Sequence, residues 1–452
     1  MVATLVCIKE LFCVEMMEFD LMNNNARHTY NLRSNKSRKL EDDPNPELPI
    51  ELRGAEIIPI EVRDAQILAR LPAKDLMRFK CVSKSWSSLT RNLDLVRAYR
   101  KFNKQTHLLF FVWDGNRNQQ HLFSVQTDPT GISNRTPATL LFSIELSPGP
   151  FPFTTHMRGA NGLTFVHNAY GTLTSEEYDS IYVLNPCSRE LFNLPYVTNQ
   201  RAHHIYHFGS CTSATNEHYK VLQVEETPNE KCVFKIYTLG SHTSWRHIEN
   251  NEVTDTLPFD VKSRSFADSS SSVCVDGVIY WTQRRSATSN PVPHETSLIR
   301  IMEFERAETV IVAFDVEDEK FRVIPPPRAC SCSNAVMFNK IVEVCGCVAL
   351  LYVIEQQQQI ELWVLRDSRN HRWVKETIRA PFPVMGLGRR ALYRILTRGK
   401  FVFFRGDDRV FYYDMESRSL DGSEIIWPQG IRGMREWLRL VEMYDDAIVS
   451  LR

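Results

Sequence analysis

The chain has 452 residues and a mass of 52.4 kDa, with 43% hydrophobic and 24% charged residues. These are ordinary globular proportions, which exclude wholesale disorder and fibrous architectures; at roughly 100–200 residues per domain, the length admits two to four domains. Lys plus Arg and Asp plus Glu each number 54, so the formal net charge is zero and gives no electrostatic reason to expect nucleic acid or a membrane surface as the main partner.

An aromatic share of 11%, with 22 prolines against 18 glycines, suits a β-rich chain with many turns. The 11 cysteines are odd in number and irregularly spaced, which points to a reducing compartment. The sequence contains no run of about 18 apolar residues, so no membrane span is expected. The apolar patches of Met1–Met22 are interrupted by Lys9, Glu10, Glu15 and Glu18, and no secretory signal is expected. The sequon Asn134-Arg135-Thr136 is read as a loop signal.

Residues 1–47 read as tail and linker. Asn23-Asn24-Asn25 is followed by scattered bases (Arg27, Arg33, Lys36, Arg38, Lys39) and by Glu41-Asp42-Asp43-Pro44-Asn45-Pro46. Apolar residues there are too sparse for a core. The basic stretch reads either as a nuclear address or as a solvated tail.

Residues 48–100 change character. Leu48-Pro-Ile-Glu-Leu-Arg-Gly-Ala-Glu-Ile-Ile58 is nearly repeated by Ile58-Pro-Ile-Glu-Val-Arg-Asp-Ala-Gln-Ile-Leu68. Asp64–Leu71 has good helix formers with Ile67, Leu68 and Leu71 on one face, and Pro72 ends that helix. Asp75 stands at the start of the next helix, where a carboxylate complements the dipole. Leu76, Phe79 and Val82 mark its apolar face, and Ser83 is read as the cap of a third helix carrying Trp86 and Leu89. So small a unit buries little apolar surface alone. It is either a subdomain packed on the rest of the chain or a docking module completed by a partner.

At this point the sequence resembles a family. Ile58-Pro59, then Ile67-Leu68-Ala69-Arg70-Leu71-Pro72-Ala73-Lys74-Asp75-Leu76-Met77-Arg78-Phe79-Lys80-Cys81-Val82-Ser83-Lys84-Ser85-Trp86, is similar to the F-box of plant F-box proteins. The resemblance implies docking onto the Skp adaptor of a cullin-based ubiquitin ligase, through Pro59, Ile67, Leu68, Leu71, Pro72, Leu76, Phe79, Val82 and Trp86. Two departures stand out: the gap from Pro59 to Ile67 is one residue longer than usual, and the first half of the motif is duplicated at Leu48–Ile58.

From 105 to 452 the pattern is short β runs rich in β-branched and aromatic residues. They include His107–Trp113, Ser180–Leu184, Tyr219–Val224, Val233–Tyr237, Val273–Trp281, Val310–Phe314, Cys347–Ile354, Ile360–Leu365, Lys400–Phe404 and Arg409–Tyr413. No convincing long amphipathic helix is read here. A loose repeat joins a strand ending in a small polar residue to one opening with a bulky residue. It occurs at Leu184–Phe192, Tyr237–Trp245, Phe314–Phe321, Val364–Trp373 and Tyr413–Ser417, with an early copy at Leu122–Asp128. Strands near Gly162, Gly277, Gly346 and Gly399 precede several copies. Later copies are spaced by about 50 residues, which predicts a β-propeller of about six blades.

Tyr182–Pro195, His218–Leu222, Asp276–Trp281, Ile311–Val316 with Phe321–Pro327, and Glu361–Val364 resemble, in order, the F-box-associated domain of plant proteins. That resemblance implies a Kelch-like propeller that recruits a protein substrate, with no transferable substrate-contact motif. The expected fold class is therefore α+β multidomain: a small all-α F-box of short helices, 48–100 (core 58–90), followed by a large all-β propeller-like domain, 105–452.

Other constellations favour structural readings. Cys330-x-Cys332 and Cys345-x-Cys347 lack the usual spacing of structural zinc, and as i, i+2 pairs sharing a strand face they read as buried structural thiols. His203, His204 and His207 open a strand-like run without a nearby acidic partner. Gln356–Gln359 and Ser269–Ser272 read as loops, and Arg389-Arg390 and Arg432–Arg439 as solvated basic patches. No metal, cofactor or catalytic group is expected. The leading expectation is a non-catalytic substrate receptor of a Skp–cullin–F-box ligase, in nucleus or cytoplasm, binding the adaptor, through it a cullin, and a protein target. The alternative is a non-ligase scaffold with a degenerate F-box.

Overall fold

Beyond residue 105 the chain runs back and forth in antiparallel strands, four to a repeat. In the computed structural model the described residues run from 67 to 451, apart from 81, 83, 104–105, 115–118, 127–134, 146–153, 170–179, 196–202, 213–216, 227–231, 241–243, 249–271, 286–307, 328–338, 355–358, 380–391, 397–399, 406–407, 415–416, 430–437, 446–448 and 450. All of them belong to one compact unit, Pro59–Arg452.

The first repeat contains β1 (Thr106–Asp114), β2 (Gln119–Gln126) and β3 (Arg135–Glu145). The second is β4 (Thr154–Ala160), β5 (Leu163–Ala169), β6 (Ser180–Asn185) and β7 (Glu190–Asn193). The third is β8 (His203–Thr212), β9 (Glu217–Glu226), β10 (Cys232–Thr238) and β11 (Arg246–His247). The fourth is β12 (Ser272–Val275), β13 (Val278–Arg285), β14 (Glu308–Asp315) and β15 (Phe321–Ile324). The fifth is β16 (Asn339–Val344), β17 (Cys347–Ile354), β18 (Gln359–Asp367) and β19 (Arg372–Arg379). The sixth is β20 (Leu392–Leu396), β21 (Lys400–Arg405), β22 (Arg409–Asp414) and β23 (Leu420–Ile426). The final strand, β24 (Leu438–Asp445), returns to pair with β1 and completes the first repeat on its inner side.

By hydrogen bonding these make five sheets, four of four strands and one of eight. The eight-stranded sheet is the sixth and first repeats joined edge to edge, where β23 and β3 pair in parallel at Glu424↔Arg135, Ile425↔Thr136 and Ile426↔Pro137. The inner strands β24, β4, β8, β12, β16 and β20 touch in turn, and β20 meets β24 again, so the propeller-like ring closes.

Packing between neighbouring repeats explains the strand sequences. Leu108, Phe110 and Val112 of β1 face the sixth repeat with Val410 and Trp427, whereas Leu109 and Phe111 face the second with Met157 and Val166. Ile279 and Trp281 of β13 pack toward the third repeat, and Val278 and Tyr280 toward the fifth. Strands buried on both faces read as continuous apolar runs rather than alternating ones.

Two kinds of turn recur. Asn161-Gly162, Asp276-Gly277 and Cys345-Gly346 join the first and second strands of their repeats, and every one of these six residues has positive φ. That is the two-residue hairpin whose twist matches the flanking strands, and glycine adopts its second position without strain. The run Val273–Trp281 is therefore a hairpin, not a single strand: Asp276-Gly277 supplies the reversal.

The other turn joins the third and fourth strands. Asn185 Oδ1 accepts from the backbone N–H of Cys187 at 2.9 Å, Asp315 Oδ1 from Asp318 at 2.9 Å, Asp367 Oδ1 from Arg369 at 2.9 Å and Asp414 Oδ1 from Ser417 at 2.9 Å. Four residues after each of these caps stands one with positive φ: Arg189, Glu319, His371 and Arg418. The small polar residue of the sequence repeat is thus a side-chain cap on a turn. The six segments marked in the sequence each lead from the third to the fourth strand of one repeat.

In an antiparallel meander these two kinds of turn leave the same end of every repeat. The connections 249–271, 286–307, 328–338 and 380–391 join strands at the other end. Gly399 and Cys330 and Cys332 lie outside the described residues.

Candidate functional site

Ahead of the ring lie a 3-10 turn (Leu68–Arg70) and three helices, α1 (Ala73–Phe79), α2 (Lys84–Leu89) and α3 (Leu93–Phe102). The helix expected over Asp64–Leu71 is described only in its last turn, which is 3-10; residues 61–66 lie outside the described residues. Pro72 is extended and precedes the first residue of α1, where its missing N–H costs nothing. Asp75 sits in the first turn and pairs with Arg78 at 3.1 Å, an exposed contact of small worth. The side chain of Asn92 caps α3 by accepting from Asp94 N at 2.7 Å, and Arg100 and Lys101 stand in its last turn, where cations suit the dipole.

Leu68, Ala69, Ala73, Leu76, Leu95, Val96 and Tyr99 form the core of this module. Leu71, Met77, Phe79, Trp86 and Leu89 pack around it half-buried, with the Phe79 and Trp86 rings 5.1 Å apart. Pro72 and Val82 are exposed.

The module rests on the tight-turn end of the ring. Lys80 Nζ donates to Glu190 Oε1 at 3.0 Å, a pair only 15% and 17% exposed. Arg100 grips Glu217 with two bonds, of 2.6 and 3.0 Å, and also donates to the Tyr219 hydroxyl at 2.9 Å and to the Asn161 carbonyl at 3.2 Å. Burial opposes the Arg100 charge, yet Tyr219 and Glu217 outweigh it and its pKa is raised. Burial likewise holds the Tyr219 hydroxyl protonated, its pKa far above the ordinary value. Cys187, in the turn before β7, packs on the module core.

Two family patterns match the chain: the F-box domain over residues 65–97, and the F-box associated beta propeller domain over residues 107–435. The chain belongs to the F-box-associated β-propeller family. F-box protein At1g30790 of Arabidopsis thaliana is 25% identical over 337 residues, covering 71% of this chain and 74% of that protein. F-box protein At1g47810 of the same plant is 28% identical over 351 residues, covering 72% and 88%.

Within this F-box the nine residues expected to dock an adaptor separate by exposure. Leu68 and Leu76 are 2% and 0% exposed and serve the module's own core. Ile67, Leu71, Phe79 and Trp86 are half-buried, and Pro72 and Val82 face outward. Pro59 lies outside the described residues, as do Ser83, the expected cap, and the duplicated segment Leu48–Ile58.

The anchors Lys80, Arg100, Glu190 and Glu217 carried no signal in the sequence, because their partners are 110 and 117 positions away. Elsewhere, Cys345 occupies the first turn position of a hairpin and is exposed, and only Cys347 lies on a strand, half-buried, so the pair is not the buried, face-sharing pair expected. His203, His204 and His207 all lie within β8. His204 Nδ1 meets Gln223 at 2.6 Å, and His207 is 1% exposed and stacked on Trp281 at 4.2 Å.

Proposed function

We propose that this protein is the target-binding subunit of a Skp–cullin–F-box ubiquitin ligase, acting in the nucleus or cytoplasm. The supporting observation is an F-box, with Val82 and Pro72 exposed, fixed to one end of a closed propeller-like ring. The chain does no chemistry itself. The F-box holds a Skp-type adaptor and through it a cullin, and the ring holds a protein target. Ubiquitination gains rate because tethering raises the effective concentration of target lysines near the loaded ubiquitin carrier. The target docks at the end of the ring away from the F-box, where the longer connections leave the sheets; binding residues concentrate on such loops. A Kelch-like mode of target recognition is part of this reading.

The test is capture of a purified Skp-type adaptor by the full chain, followed by cullin. Val82→Asp is the informative variant, and Trp86→Ala is read only beside its own thermal unfolding, because Trp86 packs on the module core. Leu76→Ala is not informative, because it opens a cavity in the module core and costs about 2–5 kcal/mol by itself. Val82→Asp is expected to weaken adaptor binding by about tenfold or more while leaving thermal unfolding unchanged. Unaltered adaptor binding in both variants would sink the assignment. Adaptor capture without cullin would instead favour a scaffold outside the ligase.

A further inference from the structure

The segment that follows the ring-closing strand does more than trail from it. Val449 packs against two cores at once, that of the helical module and that between the second and third repeats. Its carbonyl accepts from Asn185 Nδ2 at 2.6 Å, and Asn185 is the residue whose other side-chain atom caps the adjoining turn. Two positions on, Leu451 N donates to Glu190 Oε2 at 2.9 Å, and the Leu451 side chain packs on the same inter-repeat core.

Glu190 is the meeting point. One of its oxygens takes the Lys80 ammonium of the module, and the other takes the Leu451 N–H and the Ser188 hydroxyl. Burial on its own would raise the Glu190 pKa. The bonds from Leu451 and Lys80 outweigh it and hold the carboxyl below its ordinary value, so both strands of the contact act on a charged oxygen.

We propose that Val449 and Leu451 form a coupling strap, which locks the F-box module onto the ring through Glu190 and ties the module's docked orientation to β24, the strand that closes the ring. Only a few residues separate Asp445 of β24 from Val449. With β24 in place the strap is held beside Asn185 and Glu190 at high effective concentration, and with β24 displaced that advantage is lost. An F-box is then presented in its fixed pose only by a chain whose ring has closed. The inference goes beyond the ligase reading and does not depend on it, because it concerns contacts inside the chain.

Amide hydrogen exchange on the full chain tests it, with no adaptor present. Val449→Asp places a carboxylate between two apolar cores, and Glu190→Gln keeps the shape while removing the charge that Lys80 meets. Both are expected to speed exchange in α1 and α3 by about tenfold or more, leaving β13 and β14 unchanged. A Gly-Ser insertion after Asp445, which keeps every strap residue but loosens its tether, is expected to speed module exchange to a lesser extent. Unchanged module exchange in Val449→Asp would overturn the strap, and unchanged exchange in the insertion variant would overturn its coupling to β24. A rise shared equally by the module and all the sheets would also overturn the proposal, because those residues would then be ordinary core.

Discussion

Gly209 shows how tightly single residues are fixed where repeats meet. A Cβ there would stand 2.5 Å from Ile279 Cγ1 and 3.1 Å from Cys274 Sγ. Gly209→Ala is therefore expected to destabilise the ring by about 1–3 kcal/mol through overpacking, read as a lowered denaturant midpoint with an unchanged slope. Two positions earlier, His207 is buried against Trp281, and burial together with the Arg158 charge holds its pKa well below the ordinary value. The unfolded chain takes up a proton at this residue below about pH 6.5, while the folded chain does not. Stability should therefore fall as pH drops from about 6.5 toward the folded pKa, by at most about 1.4 kcal/mol per pH unit for one group. His207→Gln should flatten that dependence in denaturant titrations at pH 7 and 5.5; an identical slope in both proteins would show that other groups carry it. Neither role was legible in the sequence. Gly209 and His207 stand in a run that reads only as strand, and their constraints come from side chains of β4, β12 and β13, all distant in sequence.

At the scale of elements, the strands with the strongest composition could be read and their partners could not. β1, β6, β9, β10, β14, β17, β18, β21 and β22 carry dense apolar runs because they are second or third strands, most of them with both faces buried. The inner strand β4 and the outer strands β7, β11 and β15 are short or mixed. The outer three were legible only as the bulky residue that closes each copy of the repeat, at Phe192, Trp245 and Phe321, while β3, β16, β20, β23 and β24 were not read as strands, because their pairing depends on neighbours that no local window contains. The repeat itself was legible through its turns, since Asn185, Asp315, Asp367 and Asp414 are needed locally as side-chain caps. Asp315→Ala removes the acceptor for both Glu317 N and Asp318 N. It is expected to cost about 1 kcal/mol, since about that much is lost with a capping side chain. Asp315→Asn, which keeps an acceptor oxygen, should retain most of the stability in the same denaturant series. Equal losses in the two variants would assign the effect to charge rather than to the cap. The F-box helices illustrate the converse limit. Leu76, Phe79 and Val82 have the spacing of one helix face, but α1 ends at Phe79 and Val82 stands in the turn before α2. Spacing alone could not separate Leu76, which fills the core, from Val82, which faces out.

For the whole molecule, closure is the organising constraint, and it is made twice. On the inner side β24 pairs with β1 from Thr106↔Asp445 to Val112↔Leu438, so the chain's last strand completes its first repeat. On the outer side β23 and β3 pair in parallel, with Thr136 Oγ1 and Ser423 Oγ 2.8 Å apart and buried, and an exposed Arg135–Glu424 bridge beside them. The bridge should matter little, whereas a lone buried hydroxyl loses a partner that water cannot replace. Thr136→Val is thus expected to cost more than Ser423→Ala combined with Thr136→Val costs beyond it, a coupling of about 0.5–3 kcal/mol in a double-mutant cycle. The inner closure carries the larger consequence. A chain stopped at residue 437 lacks β24 and leaves the inner edge of β1 without its partner, and an open edge with the continuous apolar run Leu108-Leu109-Phe110-Phe111 invites pairing with another chain. Such a protein should elute as oligomers in size-exclusion chromatography and lose its single sharp thermal transition. A monodisperse monomer with an unchanged midpoint would mean that the inter-repeat cores alone hold the ring. In that case β24 would be needed for the pose of the F-box rather than for the stability of the ring, a separation that module exchange in the same truncated chain would measure directly.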